Sequence, residues 1–188
     1  MMLKIVGICG SLRKNSYNQR LLKAILAKLE EKGAKVEEAS IAKILLYSGD
    51  VEVKGIPRSV SQFKDKLRKA DGIVFVHPEY NNSISGVFKN AIDWASRPSA
   101  DIPKVFGGKV VLLAGAADGN FGTIRAQMHM RAVCRVLGMI AIPQEILLAK
   151  CDEAFDKKGN LIREMDLNQT ERAISKFIEM VEKVRLVE

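Results

Sequence analysis

The chain has 188 residues, 47% of them hydrophobic and 28% charged, and its mean hydropathy is near zero. That balance excludes a disordered or collagen-like chain, and no apolar run approaches the roughly 20 residues needed to span a bilayer. The formal net charge is +8, yet the basic residues are scattered, without the charge blocks or aromatic-basic interleaving of a nucleic-acid-binding arm. A basic surface that attracts a phosphorylated small molecule is the reading kept.

The length suits a single domain over residues 1–188. Cys9, Cys134 and Cys151 are odd in number and widely spaced, which suggests neither a disulfide framework nor a zinc site. The opening residues carry no basic n-region and too short an apolar stretch for a signal peptide, so the expected location is cytoplasmic.

Along the chain, strand and helix patterns alternate. Leu3 to Ile8 reads as a buried strand that stops at Gly10-Ser11. A helix follows over Asn18 to Lys32, with Leu21, Leu22, Ile25, Leu26 and Leu29 on one stripe and Gly33 as its C-terminal stop. Lys35 to Ile41 is a weaker strand, and Ala42 to Arg58 reads as a long surface connection. Val60, Phe63, Leu67 and Ala70 keep helical spacing before the strand Gly72 to Val76. A helix over Gly86 to Ala95 precedes a loop from Pro98 to Pro103. Val110 to Ala114 is a strand, Thr123 to Leu137 a helix, Met139 to Ile142 a strand, and Gln169 to Val187 an amphipathic closing helix.

Near-continuous apolar strands, each followed by a helix, predict a parallel sheet covered on both faces. Five such strands predict an α/β, flavodoxin-like, doubly wound sheet in the order 2-1-3-4-5, with ligands bound beyond the carboxyl ends of the strands. Three loops occupy that position. The first, Gly10 to Asn18, precedes a helix N-terminus, where backbone N–H groups and the helix dipole favour an anion. Ser11, Ser16 and Asn18 can donate to phosphate oxygens and Arg13 can pair with them; the plainer alternative is a polar turn with an asparagine cap. The second, His77 to Ser83, can present backbone groups and a ring edge to a flat heterocycle, or can be a plain turn. The third starts at Gly115, Ala116 and Ala117, small enough for close backbone approach, or simply a glycine-rich turn. No residue set forms a self-contained acid–base or nucleophile team, so no catalytic side chain is assigned. A bound cofactor is expected to carry the chemistry.

The segment Gly10-Ser11-Leu12-Arg13-Lys14-Asn15-Ser16-Tyr17-Asn18 resembles the phosphate loop of the NADPH-dependent FMN reductase family of flavodoxin-like proteins. Pro78-Glu79-Tyr80-Asn81-Asn82-Ser83, followed by Lys89 to Trp94, resembles that family's flavin-ring loop and the helix behind it. Asn82 stands where the family often has glycine. The resemblance implies that Ser11, Arg13, Ser16 and Asn18 hold the phosphate of FMN. It implies that Pro78, Glu79, Tyr80, Asn81 and Ser83 surround its ring and ribityl chain, beside Gly115 and Ala116. It further implies ping-pong hydride transfer from NADPH or NADH to FMN N5 and on to a quinone, free flavin, chromate or azo acceptor. A homodimer or homotetramer, meeting near the Pro98 to Pro103 loop and the helix before it, is also implied. The competing reading is a flavodoxin-type FMN electron carrier without NAD(P)H activity, which Arg13 and the basic charge disfavour.

Overall fold

The structure is a computed structural model and describes residues 2–186. Strands β1 (Lys4–Cys9), β2 (Lys35–Glu38) and β3 (Gly72–Val76) alternate with helices α1 (Tyr17–Glu31), α2 (Gly49–Val53) and α3 (Arg58–Lys69). A short hairpin, β4 (Glu79–Tyr80) and β5 (Ser83–Ile84), follows, then α4 (Gly86–Ala95) and α5 (Ile102–Val105). The chain ends in β6 (Val110–Ala116), α6 (Ile124–Val136), β7 (Ile140–Leu148) and α7 (Glu164–Arg185). The main sheet is parallel throughout, in the order β2-β1-β3-β6-β7. With the hairpin set aside, that is the expected 2-1-3-4-5 order of a flavodoxin-like fold.

Side chains alternate across the sheet because successive strand residues point to opposite faces. Val74 and Val76 face a layer made by Leu22, Ile25 and Leu29 of α1 with Ile174, Phe177 and Val181 of α7. Ile73 and Phe75 face Phe63 and Leu67 of α3, Phe88 and Ile92 of α4 and Met130 of α6. Burying each such side chain contributes about 1.5–3 kcal/mol. Both faces of β3 are therefore in the core, which is why its run is apolar without interruption.

Several boundaries move from the expected ones. The Ala42 to Arg58 connection contains α2, and Asn90 and Trp94 fasten it to α4: Tyr47 N donates to Asn90 Oδ1 (2.8 Å), and Asn90 Nδ2 and Trp94 Nε1 both donate to the Leu45 carbonyl (2.9 Å each). The Pro98 to Pro103 segment is a 3-10 turn (Ser99–Asp101) running into α5, held by buried Lys64, which donates to Arg97 O and to Asp101 Oδ2. Strand β7 extends past Ile142 to Leu148, with its register slipping between the β6 partners Val111 and Leu113. Pro143 lies in that slip and cannot donate to a ladder; an edge strand with a bulge accommodates it. α7 begins at Glu164, before the expected Gln169, because Arg163 Nε binds Asp166 Oδ2 across its first turn (2.6 Å). Val187 lies outside the described residues.

Candidate functional site

The carboxyl ends of β1, β3 and β6 lie side by side, so the loops after them converge. Gly10 N donates to Val76 O (2.7 Å) and His77 N to Ala114 O (3.0 Å). Ser85 Oγ donates to Gly10 O (2.6 Å), tying the start of the first loop to the cap of α4. A Cβ on Gly10 would sit 2.7 Å from His77 Cβ and 2.9 Å from Phe88, so only glycine lets the loop turn this close to β3.

A recess of about 110 Å³ opens between these loops. Ser11, Arg13, Ser16 and Asn18 line one side and Pro78, Glu79, Tyr80 and Ala116 the other. Of the eleven residues expected at the site, the structure brings these eight together. Asn81 lies at the tip of the β4–β5 hairpin, outside the recess, and Ser83 on the strand after it. Gly115 has a different role. A Cβ there would lie 2.0 Å from Thr123 Oγ1 and 2.5 Å from His77 O, so its lack of a side chain serves packing between β6 and the start of α6 and does not open room in the recess.

The start of α1 is electrostatically open. Its cap residue is Ser16, not Asn18, and the Ser16 side chain makes no capping bond. No acidic residue sits in the first turn, so the helix dipole is uncompensated where the recess meets it. Arg13 stands exposed at the mouth, and its backbone N–H binds Ser11 Oγ (3.3 Å). Asn18 is nearly buried: its Nδ2 donates to Ala116 O and its Oδ1 accepts from Ala116 N, both at 2.9 Å. That reciprocal pair joins α1 to the end of β6 and leaves one amide hydrogen free for a ligand.

The start of α6 is filled by the protein's own anion. Glu79 Oε2 accepts from Arg125 N (2.9 Å) and Ala126 N (3.0 Å), while Arg125 Nη1 binds Glu79 Oε1 (3.3 Å). The Glu79 side chain therefore docks the hairpin on α6, and what it offers the recess beyond that is its backbone. The hairpin turn uses Asn81 (φ 51) and Asn82 (φ 61) in the left-handed region, which asparagine tolerates well. Asparagine in place of glycine at 82 thus preserves the loop's shape.

The buried groups stay neutral. His77 stacks on Phe88, at 5.4 Å between centroids, with its Nδ1 3.3 Å from Pro78 O. Burial pushes its pKa down to about 4. The Cys9 thiol donates to Ser11 O (3.6 Å) and is raised to about 11 by burial, and Cys134 to about 12 for the same reason. Cys151, also raised by burial, donates to Asp118 Oδ1 (2.9 Å). As neutral thiols these are poor nucleophiles.

Four lining or rim residues were not expected individually, although Tyr17 and Asp118 lie within the first and third loops. Cys151 and Asp118 line the recess although 33 positions separate them, and no local pattern announces that contact. Tyr17 lines it too, stacked on Phe155 at 6.0 Å. His129, on α6 one turn after Arg125, lies 2.9 Å through Nδ1 from Ser83 Oγ; only the fold brings that pair together.

Several known proteins resemble this chain over most of its length. An NAD(P)H-dependent FMN reductase of Pseudomonas aeruginosa is 42% identical over 161 residues, covering 85% of each chain. A quinone reductase of Escherichia coli is 35% identical, with 98% of each chain covered. Among solved structures, the flavoenzyme NAD(P)H:(acceptor) oxidoreductase FerB of Paracoccus denitrificans superposes with a TM-score of 0.85 at 29% identity, covering 97% of this chain and 98% of that one. The model of the NADPH-dependent FMN reductase family matches residues 3–153, a span that takes in all three convergent loops and the open helix start between them, and the chain belongs to that family.

Proposed function

We propose that the recess holds the phosphate end of FMN and that the protein is an NAD(P)H-dependent oxidoreductase acting on a small-molecule acceptor, a quinone first among them. The observation that carries this reading is the open start of α1 inside the recess, beside the exposed Arg13 and the Ser11 hydroxyl. α6 receives the Glu79 carboxylate, whereas α1 has neither a side-chain cap nor an acidic residue. An external anion is the partner that α1 lacks.

The residues fit FMN. Ser11 and Ser16 hydroxyls, Arg13 and the first amides of α1 surround one anion, with the spare amide hydrogen of Asn18 behind them. About 110 Å³ encloses a phosphate and part of a sugar chain, and a flavin ring is left to lie across the open rim against Pro78, Tyr80 and the backbone of Ala116. Asn81 and Ser83 flank that rim through the hairpin. Bound FMN supplies two-electron chemistry that no side chain here provides. The chain's own contribution is to fix the phosphate, to keep the buried His77 and thiols neutral, and to leave the rim accessible to a hydride donor or an acceptor.

We assign the whole chain to one domain and expect it in the cytoplasm as a homodimer or homotetramer. Among the described residues no helix is long and apolar enough to cross a membrane. Leu46, Val53 and Val87 are exposed apolar side chains, which a second copy would cover. The experiment for the central assignment is direct. Heat should release FMN from the purified protein, or FMN added to the apoprotein should bind and be reduced by NADPH or NADH. Recovery of FAD alone, or no binding of FMN in excess, overturns it.

A further inference from the structure

A groove of about 670 Å³ runs along the outer side of α1, between that helix and the turn before α7. Its size is that of a ligand cleft. It begins at Lys14 and Ser16, and Ser16 also lines the recess, so the groove opens directly from the loop assigned to the FMN phosphate.

The walls are cationic. Lys14, Lys23, Lys157 and Lys158 line it, and among the described residues none of these four makes an ion pair. Glu31, at the far end, is the one carboxylate in the lining. The floor is small and apolar, made by Ala24, Ala27, Leu161 and Leu167. The turn that presents Lys157 and Lys158 is held in place: Asn160 donates to both Asp156 oxygens (2.8 Å each), and Phe155 pairs with Leu161 across it. This is a preorganised cleft with unpaired positive charge above an apolar base.

A duplex or a lipid surface needs a broad basic face, whereas these lysines line a groove between α1 and the turn before α7. The reaction also brings a second phosphate-bearing molecule to the same place. Resting on the reading of the recess as an FMN site, we propose that the groove seats the adenosine half of the dinucleotide. The base lies on the alanine and leucine floor, and the lysine walls take the 2′-phosphate that distinguishes NADPH from NADH. The protein then prefers NADPH.

The test uses the FMN-loaded protein and adenosine 2′,5′-bisphosphate as the probe, with 5′-AMP as its control. Calorimetric titration should show the bisphosphate binding at least about tenfold more tightly, as one charge-assisted contact provides, with the difference shrinking as salt rises. In the double variant Lys157→Glu/Lys158→Glu, and independently in Lys23→Glu, that difference should vanish. KM for NADPH should rise toward that for NADH, while kcat with NADH and FMN content stay unchanged. A variant that is merely misfolded would move all of these together. Equal affinity of the wild type for the two probes overturns the proposal, and so does inorganic phosphate binding as tightly as the bisphosphate. Loss of FMN or FAD affinity in the variants would give the groove to the flavin and overturn it too. If neither dinucleotide reduces the flavin but the bisphosphate still discriminates, the reductase reading fails and the adenylate site stands.

Discussion

At the scale of single residues, the site is organised by which polar groups are already satisfied. Arg13 is exposed and the Ser16 hydroxyl meets only the Cys9 thiol, whereas Asn18 and Glu79 are largely committed to Ala116 and to α6. Arg13→Ala and Ser16→Ala should each weaken FMN binding about ten- to a hundredfold, the worth of one charge-assisted bond. Titration of the apoprotein reads this, and wild-type affinity in both variants would place the phosphate elsewhere. His77 yields a pH prediction. Its folded pKa of about 4 lies below the ordinary 6.5 because burial disfavours the charged ring. The unfolded chain therefore binds the extra proton between those values, so this contribution to stability is fully present above pH 6.5 and is lost as the pH falls toward 4. The shift corresponds to at most about 3 kcal/mol. Denaturant titrations of wild type and His77→Leu across that window should differ in slope, the variant being flatter. Parallel slopes would show that His77 does not titrate there.

At the scale of elements, the hairpin is the part of the site that the amino-acid pattern concealed. Strands of two residues have no periodicity to read, so Pro78 to Ser83 was legible as a ligand loop or a plain turn, and by resemblance as a flavin-ring loop, but not as a hairpin. The phosphate loop was legible because a strand ending in Gly10 and a helix beginning near Ser16 are both local patterns, and the sheet order followed from five apolar runs. The Asn18–Ala116 and Asp118–Cys151 contacts were not, since each joins residues that only the fold makes neighbours. β7 was cut short at Ile142 because Pro143 is a local stop signal that an edge bulge overrides. The hairpin geometry makes a testable demand. With Asn82 at φ 61, Asn82→Val places a β-branched residue in the left-handed region at a cost of about 1–2 kcal/mol, whereas Asn82→Gly should cost little. Glu79→Gln should loosen the hairpin from α6 by removing the charge that meets its amides. Thermal unfolding and hydrogen exchange at Tyr80 to Ser83 should rank wild type and Asn82→Gly above Glu79→Gln and Asn82→Val. Equal protection in all four would mean that the hairpin is held by something other than its turn and its carboxylate.

At the scale of the whole molecule, charge and access decide between an enzyme and a carrier. A carrier that docks on a protein partner needs a complementary patch, whereas a reductase needs an open rim and a field that draws its nucleotide. The chain has a net charge of +8, and its cations Arg13, Lys14, Lys157 and Lys158 stand exposed around the first loop and the adjoining groove. Such a field speeds the arrival of an anionic dinucleotide, and salt screens it over roughly 10 Å at 0.1 M. The second-order rate of flavin reduction by NADPH in stopped flow should therefore fall steeply with ionic strength, while the rate at saturating NADPH changes little, because the encounter is screened but the bound complex is not. The acceptor uses the same rim after the oxidised nucleotide leaves, so steady-state rates with a quinone should give parallel double-reciprocal lines. Intersecting lines would require donor and acceptor to be bound together and would overturn alternating use of the rim. A protein whose flavin accepts electrons from dithionite but from neither nucleotide would be the carrier after all.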